Sequence, residues 1–380
     1  MGRLLADELR QLGVQEVEQD QHGMVWGTVP ATVDYATPVI AFNAHVDTSP
    51  ETTGANVRPQ VIRNYAGGDI VLPNDKSKII RTAENPELLQ LLGKTLVTTD
   101  GTTLLGADDK SGVAVIVEAA AYLLEHPKLR HGPIRILFTC DEEIGHGVDH
   151  VDLRKLNARA AYTLDGAGAD EIDVETFSAD GATVTVHGSN IHPSIAKNRM
   201  VNAVRVAAAF VNRLPRQTLS PEVTDGRDGF LHPYHVQGGV EKTTLHILLR
   251  DFRTAKLDEY AELLRHTAVE VEREFPGSKI EVETKLQYRN LSDGLPIEPR
   301  AVAFAEVAHR RLGRLPRLTI IRGGTDGSQL TSLGLPTPNL STGEHNPHSP
   351  LEWTCLEEMA AAVDVIVQLA QVWGEVRETS

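Results

Sequence analysis

The chain has 380 residues, 41% of them hydrophobic, and a formal net charge of -15 at neutral pH. That length predicts large cores and roughly two to three domains. The charge disfavours a nucleic-acid partner, and no apolar run is long enough for a transmembrane helix. Met1 to Arg10 lacks the apolar core and cleavage pattern of a signal peptide. Two cysteines, Cys140 and Cys355, do not make a disulfide framework, so a cytoplasmic protein is expected.

In chain order, residues 39–44 form a short apolar run that reads as a buried strand. Residues 111–125 are rich in alanine and valine and predict a helix buried on most of its surface. Residues 133–138 and 158–164 predict two more strands. Strands separated by helical patterns imply an α/β unit, a mixed sheet with helices on both faces. After about residue 176 the pattern changes. Residues 183–187, 242–249 and 279–286 alternate as half-exposed strands do, and residues 200–214 and 257–275 read as helices. These predict a smaller α+β domain. The buried character returns from about 290, with helices over 299–312 and 356–373. A capping box at Thr354-x-x-Glu357 is expected to open the last helix. The expected division is a catalytic domain of residues 1–176 and 288–380 with residues 177–287 inserted.

Five motifs fall where the buried strands end. Thr139-Cys140-Asp141-Glu142-Glu143-Ile144-Gly145 puts adjacent carboxylates at a strand's C-terminal edge, where α/β sheets present ligands. Neighbours on extended backbone point to opposite sides, so one glutamate can hold a metal while the other handles protons. A solvated acidic turn is the plain alternative. His45 and Asp47, two residues apart, share a strand side, so Asp47 can orient the His45 ring. Gly106-Ala107-Asp108-Asp109-Lys110 suits either an N-cap or a carboxylate bridging two cations. Leu164-Asp165-Gly166 is a ligand position or an ordinary turn. Glu344-His345-Asn346-Pro347-His348 and the nearby Glu352 place two histidines and two acids in one expected tight loop. Together the motifs supply the nitrogen and carboxylate donors that zinc takes. Two ions bridged by one carboxylate make a hydrolytic centre. His-Glu-x-x-His and Cys-x-x-Cys are both missing.

These motifs, with Asn190-Ile191-His192-Pro193 and Arg322-Gly323-Gly324-Thr325-Asp326-Gly327, resemble the peptidase T group of the cocatalytic dizinc exopeptidase family. The resemblance runs from about residue 25 to the C-terminus. It implies a dizinc exopeptidase catalytic domain with an inserted lid or dimerisation domain. It also implies a tripeptide aminopeptidase that holds two Zn2+ per chain, with Co2+ or Mn2+ as other choices. His45, Asp108 and Asp165 would bind one ion, and Asp108, Glu143 and His348 the other. Glu142 would be the general base and Asp47 the residue orienting His45. His192, Arg250, Arg322 and Gly324 would contact a short peptide, and the inserted domain would be the surface for a homodimer.

Related dizinc carboxypeptidases and N-acyl-amino-acid amidohydrolases share this pattern, and a noncatalytic peptide-binding protein could keep the fold. A nucleotide-dependent oxidoreductase lacks its Gly-x-Gly-x-x-Gly junction. Two departures from the family stand out. Its members usually carry about one helix and a loop before the point where this sequence begins. They also usually have proline where this chain has Cys140, which is expected to play a structural part rather than bind metal.

Overall fold

The fold was described from a computed structural model over residues 1–378. The chain divides into two compact units. One comprises Met1–Val174, Leu291–Ile320 and the chain from Thr325. The other comprises Glu175–Asn290 and Ile321–Gly324.

The first unit is built on a mixed sheet. Its centre is four parallel strands in the spatial order Ile134–Thr139, Ile40–His45, Ala160–Ala167 and Asn339–His345. Antiparallel strands extend it on both sides: Gln15–Gln19 and Val25–Val29 on one, Trp353–Cys355, Leu96–Thr98 and Gln60–Ile62 on the other. The central strands read as nearly continuous apolar runs because both sheet faces are covered. Alternate residues separate cleanly between those faces. Ile40, Phe42, Ala44, Ile136, Phe138, Tyr162 and Leu164 join one core, and Ala41, Leu137 and Ala161 join another.

Helix Ala107–Glu125 lies in the larger core, with Val113, Ile116, Ala120 and Leu123 buried. It packs against Leu356–Gly374, which in turn packs against Arg300–Arg311. On the other face, Leu330 of the short helix Asp326–Ser332 joins Met24 and Trp26. Because the central strands are parallel, all four deliver their C-terminal ends to one edge of the sheet, the edge where such folds bind ligands.

Three local expectations fail. The helix expected from residue 111 starts at Ala107, though Asp108 and Asp109 keep non-helical backbone angles. Glu344 and His345 are not in a loop; they end the strand Asn339–His345. Thr354 and Glu357 make no capping box. Thr354 Oγ1 donates to the Gly343 carbonyl, and Glu357 accepts the Thr95 N–H at 2.8 Å. A capping box exists instead at Thr325, whose side chain pairs with Ser328.

The second unit is a four-stranded antiparallel sheet in the order Phe230–Gly238, Lys242–Asp251, Ser178–His187 and Lys279–Tyr288. Helices Ala203–Arg213 and Thr254–Glu274 cover one face. Ala182, Val184, Val186, Leu245, Ile247 and Leu249 point to those helices and are buried with Phe210, Leu257 and Leu264. The edge strand Phe230–Gly238 has no counterpart in the sequence reading. Pro233 and Gly238 interrupt its pattern, and its pairing register shifts between Pro233 and His235. No helix among the described residues is long and apolar enough to cross a membrane.

Candidate metal centre

The four parallel strand ends and the start of helix Ala107–Glu125 bring five side chains together in the first unit. His45 ends its strand, fully buried, and its Nε2 lies 2.9 Å from Asp108 Oδ1 and 3.8 Å from Asp165 Oδ1. His348 reaches the other oxygen, with Nε2 3.1 Å from Asp108 Oδ2 and 2.8 Å from Glu143 Oε2. Asp108 therefore presents one oxygen to each histidine. That is the arrangement of a carboxylate shared between two neighbouring positions, each completed by a second carboxylate. Groups of donor atoms close enough to hold one ion include His45, Asp108 and Glu143; His45, Asp109 and Asp165; and Asp108, Asp165 and Glu344.

A second layer of contacts holds these donors in place. Asp47 Oδ1 sits 3.2 Å from His45 Nδ1, and its two oxygens accept the backbone N–H groups of Glu142 and Glu143 at 3.2 and 3.1 Å. One carboxylate thus orients a histidine ring and fixes the turn bearing both glutamates. Asp109 is fully buried and accepts the N–H groups of His45 and Gly112 at 3.0 and 3.2 Å. Glu352 accepts three N–H groups, from Leu105, Gly106 and Asp108, at 2.6, 2.8 and 3.0 Å. Asn339 bonds the backbone of Asp165 on both sides, accepting its N–H and donating to its carbonyl. The sequence reading placed Asp109 and Glu352 within candidate metal motifs but foresaw neither of these backbone-holding contacts, and it gave Asn339 no part in the site. Pairing in Asp108-Asp109 was the one available signal for Asp109; the others are separated from their partners by more than 170 residues.

Glu142 lies beside the cluster, with Oε2 3.9 Å from His45 Nε2. Burial first, and the nearby Asp326 carboxylate next, push its carboxyl up to about 8. Burial also raises Asp165 well above the usual carboxylate range, reinforced by Asp109 and Asp108. For Asp108, burial acts upward, but the hydrogen bonds with His348 and His45 outweigh it and hold the group well below that range. The same contacts, with Asp108 first and Glu143 second, raise His348 to about 10. The pattern is an excess of buried negative charge, more carboxylates than the nearby cations His45, His348 and Lys110 can balance. Glu143 Oε1 is buried without a hydrogen-bond partner.

Residues 98–372 match the model of peptidase family M20/M25/M40. The chain belongs to that peptidase family. Its curated relatives place it in the peptidase T group. The peptidase T of Exiguobacterium sp. is 45% identical over 98% of this chain and 90% of its own length. That of Caldanaerobacter subterraneus is 43% identical over 98% and 91%. Among solved structures, an aminopeptidase PepT from Bacillus cereus superposes with a TM-score of 0.76 at 24% identity, covering 98% of this chain and 92% of that one. A Bacillus subtilis protein described as a dinuclear metal binding peptidase of the M20 family gives 0.67 at 16% identity, covering 99% and 92%.

In this M20 peptidase, the four residues expected to contact substrate all lie in the second unit. His192 is exposed, and its Nδ1 lies 2.7 Å from Ser194 Oγ at the start of a short 3₁₀ turn. Arg250 is buried and donates to the carbonyls of Asp180 and Leu249 at 3.1 and 2.9 Å, beside the Tyr288 ring. Arg322 donates to the carbonyls of Gly226 and Asp228 at 2.8 and 2.9 Å, and its guanidinium lies over Phe177. Gly324 faces Tyr288 so closely that a Cβ there would lie 2.5 Å from the ring. Both arginines therefore bond backbone carbonyls in this conformation, Arg250 those of two strands and Arg322 those of a loop. Cys140 is half-buried, and burial pushes its thiol up to about 11. It belongs to no group of convergent donor atoms among the described residues.

Proposed function

We propose that this M20 peptidase is an aminopeptidase that removes the N-terminal residue from short peptides, tripeptides above all, and holds two Zn2+ in the centre just described. The observation that carries the reading is Asp108, whose two oxygens face two different histidines. The residues fit cations on physical grounds. Buried carboxylates that repel one another are stabilised by bound positive charge, and the unpartnered Glu143 Oε1 is an acceptor without a donor. Mixed imidazole and carboxylate donors suit zinc, with Co2+ or Mn2+ able to replace it.

When bound, two such ions lower the pKa of water and polarise a carbonyl. The chain's own residues do the rest. Glu142 is buried beside the donors, 3.9 Å from His45 Nε2, placed where a base would take a proton from the attacking water and pass it to the leaving amine. Asp47 keeps Glu142 in reach by holding the N–H groups of the turn. His192, Arg250, Arg322 and the Gly324 segment are assigned to the peptide's polar ends. For the arginines, that role requires exchanging present carbonyl partners for substrate. A homodimer through the second unit is supported by the open edge strand, where Tyr234 and Val236 are 55% and 63% exposed. A cytoplasmic location is supported by the two free cysteines.

The test is hydrolysis of a di-, tri- and tetrapeptide series, with an N-acetylated tripeptide alongside, on protein of measured metal content. A tripeptide optimum that acetylation abolishes is expected. Preferential cleavage of the acetylated peptide would instead indicate an amidohydrolase. Glu142→Ala should keep both ions and lose turnover by about 10²–10⁴-fold.

A further inference from the structure

We propose that Glu344 is an additional ligand of the metal centre, on the side of Asp108 and Asp165, and that it tilts that position toward a harder cation such as Mn2+. The inference rests on the two-cation reading above and goes beyond its five ligands.

Glu344 lies on the last turn of the strand Asn339–His345 and is 6% exposed. One of its carboxylate oxygens lies within 4.8 Å of oxygens of both Asp108 and Asp165. It makes no ion pair among the described residues. Among the described residues its side chain accepts a long hydrogen bond, 3.4 Å from Thr342 Oγ1. A buried carboxylate beside two others, without a cation of its own, is costly unless something positive joins it.

The backbone is shaped to put it there. The parallel pairing with Ala160–Ala167 slips between Ser341 and Glu344, so that Ser341 faces Gly166 while Glu344 faces Ala167. Such irregularities re-aim side chains next to active sites. Gly343 supplies the bend, with φ of 83°, and a Cβ there would lie 2.9 Å from Glu358 Cβ and 3.1 Å from the Cys355 carbonyl. Without this slip, the side chains of the strand would keep a simple alternation.

The consequence is an unequal pair of positions. Each position would have one nitrogen, from His45 or His348, and would share Asp108, so the carboxylate count alone would set them apart. The ion held by His45, Asp108 and Asp165 gains a third carboxylate from Glu344. Carboxylate-rich donor sets favour hard divalent cations, whereas imidazole-rich ones favour zinc.

The experiment is calorimetric titration of metal-stripped protein with MnCl2 and separately with ZnCl2, comparing wild type with Glu344→Gln and Glu344→Asp. Crystals of Mn2+-loaded wild type, read by anomalous scattering, accompany it. For Glu344→Gln, Mn2+ binding at one of two positions should weaken at least about tenfold, with a smaller loss for Zn2+. Glu344→Asp should fall between the two proteins. In the crystals a Glu344 oxygen should lie about 2–2.5 Å from one ion. Two ions bound with unchanged affinities in Glu344→Gln, or a Glu344 oxygen more than about 3.5 Å from both ions in the wild type, would overturn the proposal. Failure of the wild type to bind any divalent ion would instead overturn the two-cation reading itself. Should Glu344→Gln fail to fold, the wild-type crystals decide.

Discussion

The two units of this chain handle buried polarity in opposite ways. In the second, strand Ser178–His187 turns alanine and valine toward two helices, and no group of three or more convergent metal-donor side chains forms among its described residues. Its polar side chains serve the backbone: half-buried Asn202 accepts two N–H groups to start a helix, and buried Arg250 donates to two carbonyls. In the first, strand ends and the start of helix Ala107–Glu125 press Asp108, Asp109, Asp165 and Glu344 together with His45 and leave Glu143 Oε1 unpartnered. One unit gathers no cluster of buried carboxylates among its described residues. The other has an electrostatic deficit that bound ions must fill, and the difference predicts which perturbations each will feel.

The sharpest break comes from Asp108→Asn. Because both histidines face this one carboxylate, the variant should lose both ions together. Turnover should fall at least as far as in Glu142→Ala, by about 10³-fold or more. Metal analysis showing one ion retained at full occupancy would mean that Asp108 is not shared. The converse perturbation is Phe210→Ala in the second unit. It should cost about 3–5 kcal/mol of stability by opening a cavity, while the folded protein keeps its full metal content. Denaturant melts with metal analysis test this.

Chelation should expose the deficit as a pH effect. Glu142, raised to about 8, and Asp165, also raised, bind protons more tightly when folded than when unfolded. Their contribution to stability is complete below the unfolded carboxylate range and is lost as pH rises through the folded values. His348, raised to about 10, has the same sign above its unfolded value. The gap in melting temperature between loaded and chelated protein should therefore widen from pH 6.5 to 8.5. Comparing loaded with chelated protein at each pH cancels His131 and His309, whose burial lowers them equally in both. A constant gap would show that the carboxylates are not mutually strained. The smallest effect expected is from Asn202→Ala, about 1 kcal/mol from a lost helix cap, with no change in metal binding. Thermal melts resolve it.

Much of the first unit was legible in the sequence because each central strand is an apolar run that stops at a carboxylate or histidine next to a turn residue. Phe138-Thr139 before Glu142-Glu143 and Leu164 before Asp165-Gly166 are such cases. Period and punctuation reveal where a strand ends, and a parallel sheet sends those ends to one edge. What was not legible depends on partners distant in sequence. Glu352 clamps a loop more than 240 residues away, and nothing in its own neighbourhood signals that. Thr354-x-x-Glu357 has the spacing of a capping box, but Gly343 and Thr95 claim its side chains first. Strand Phe230–Gly238 hid because its proline and glycine, tolerated at a sheet edge, erase the alternation that would identify it.

The Glu352 clamp has a practical consequence for anyone re-engineering this scaffold. His348 and Glu352 sit four residues apart, yet one faces Asp108 directly while the other grips the backbone that carries Asp108. Residues 344–352 therefore behave as a single cassette. Any graft, insertion or shuffled crossover between His348 and Glu352 would shift one half of the centre against the other, whereas breakpoints placed outside that segment would move the whole grip as a piece.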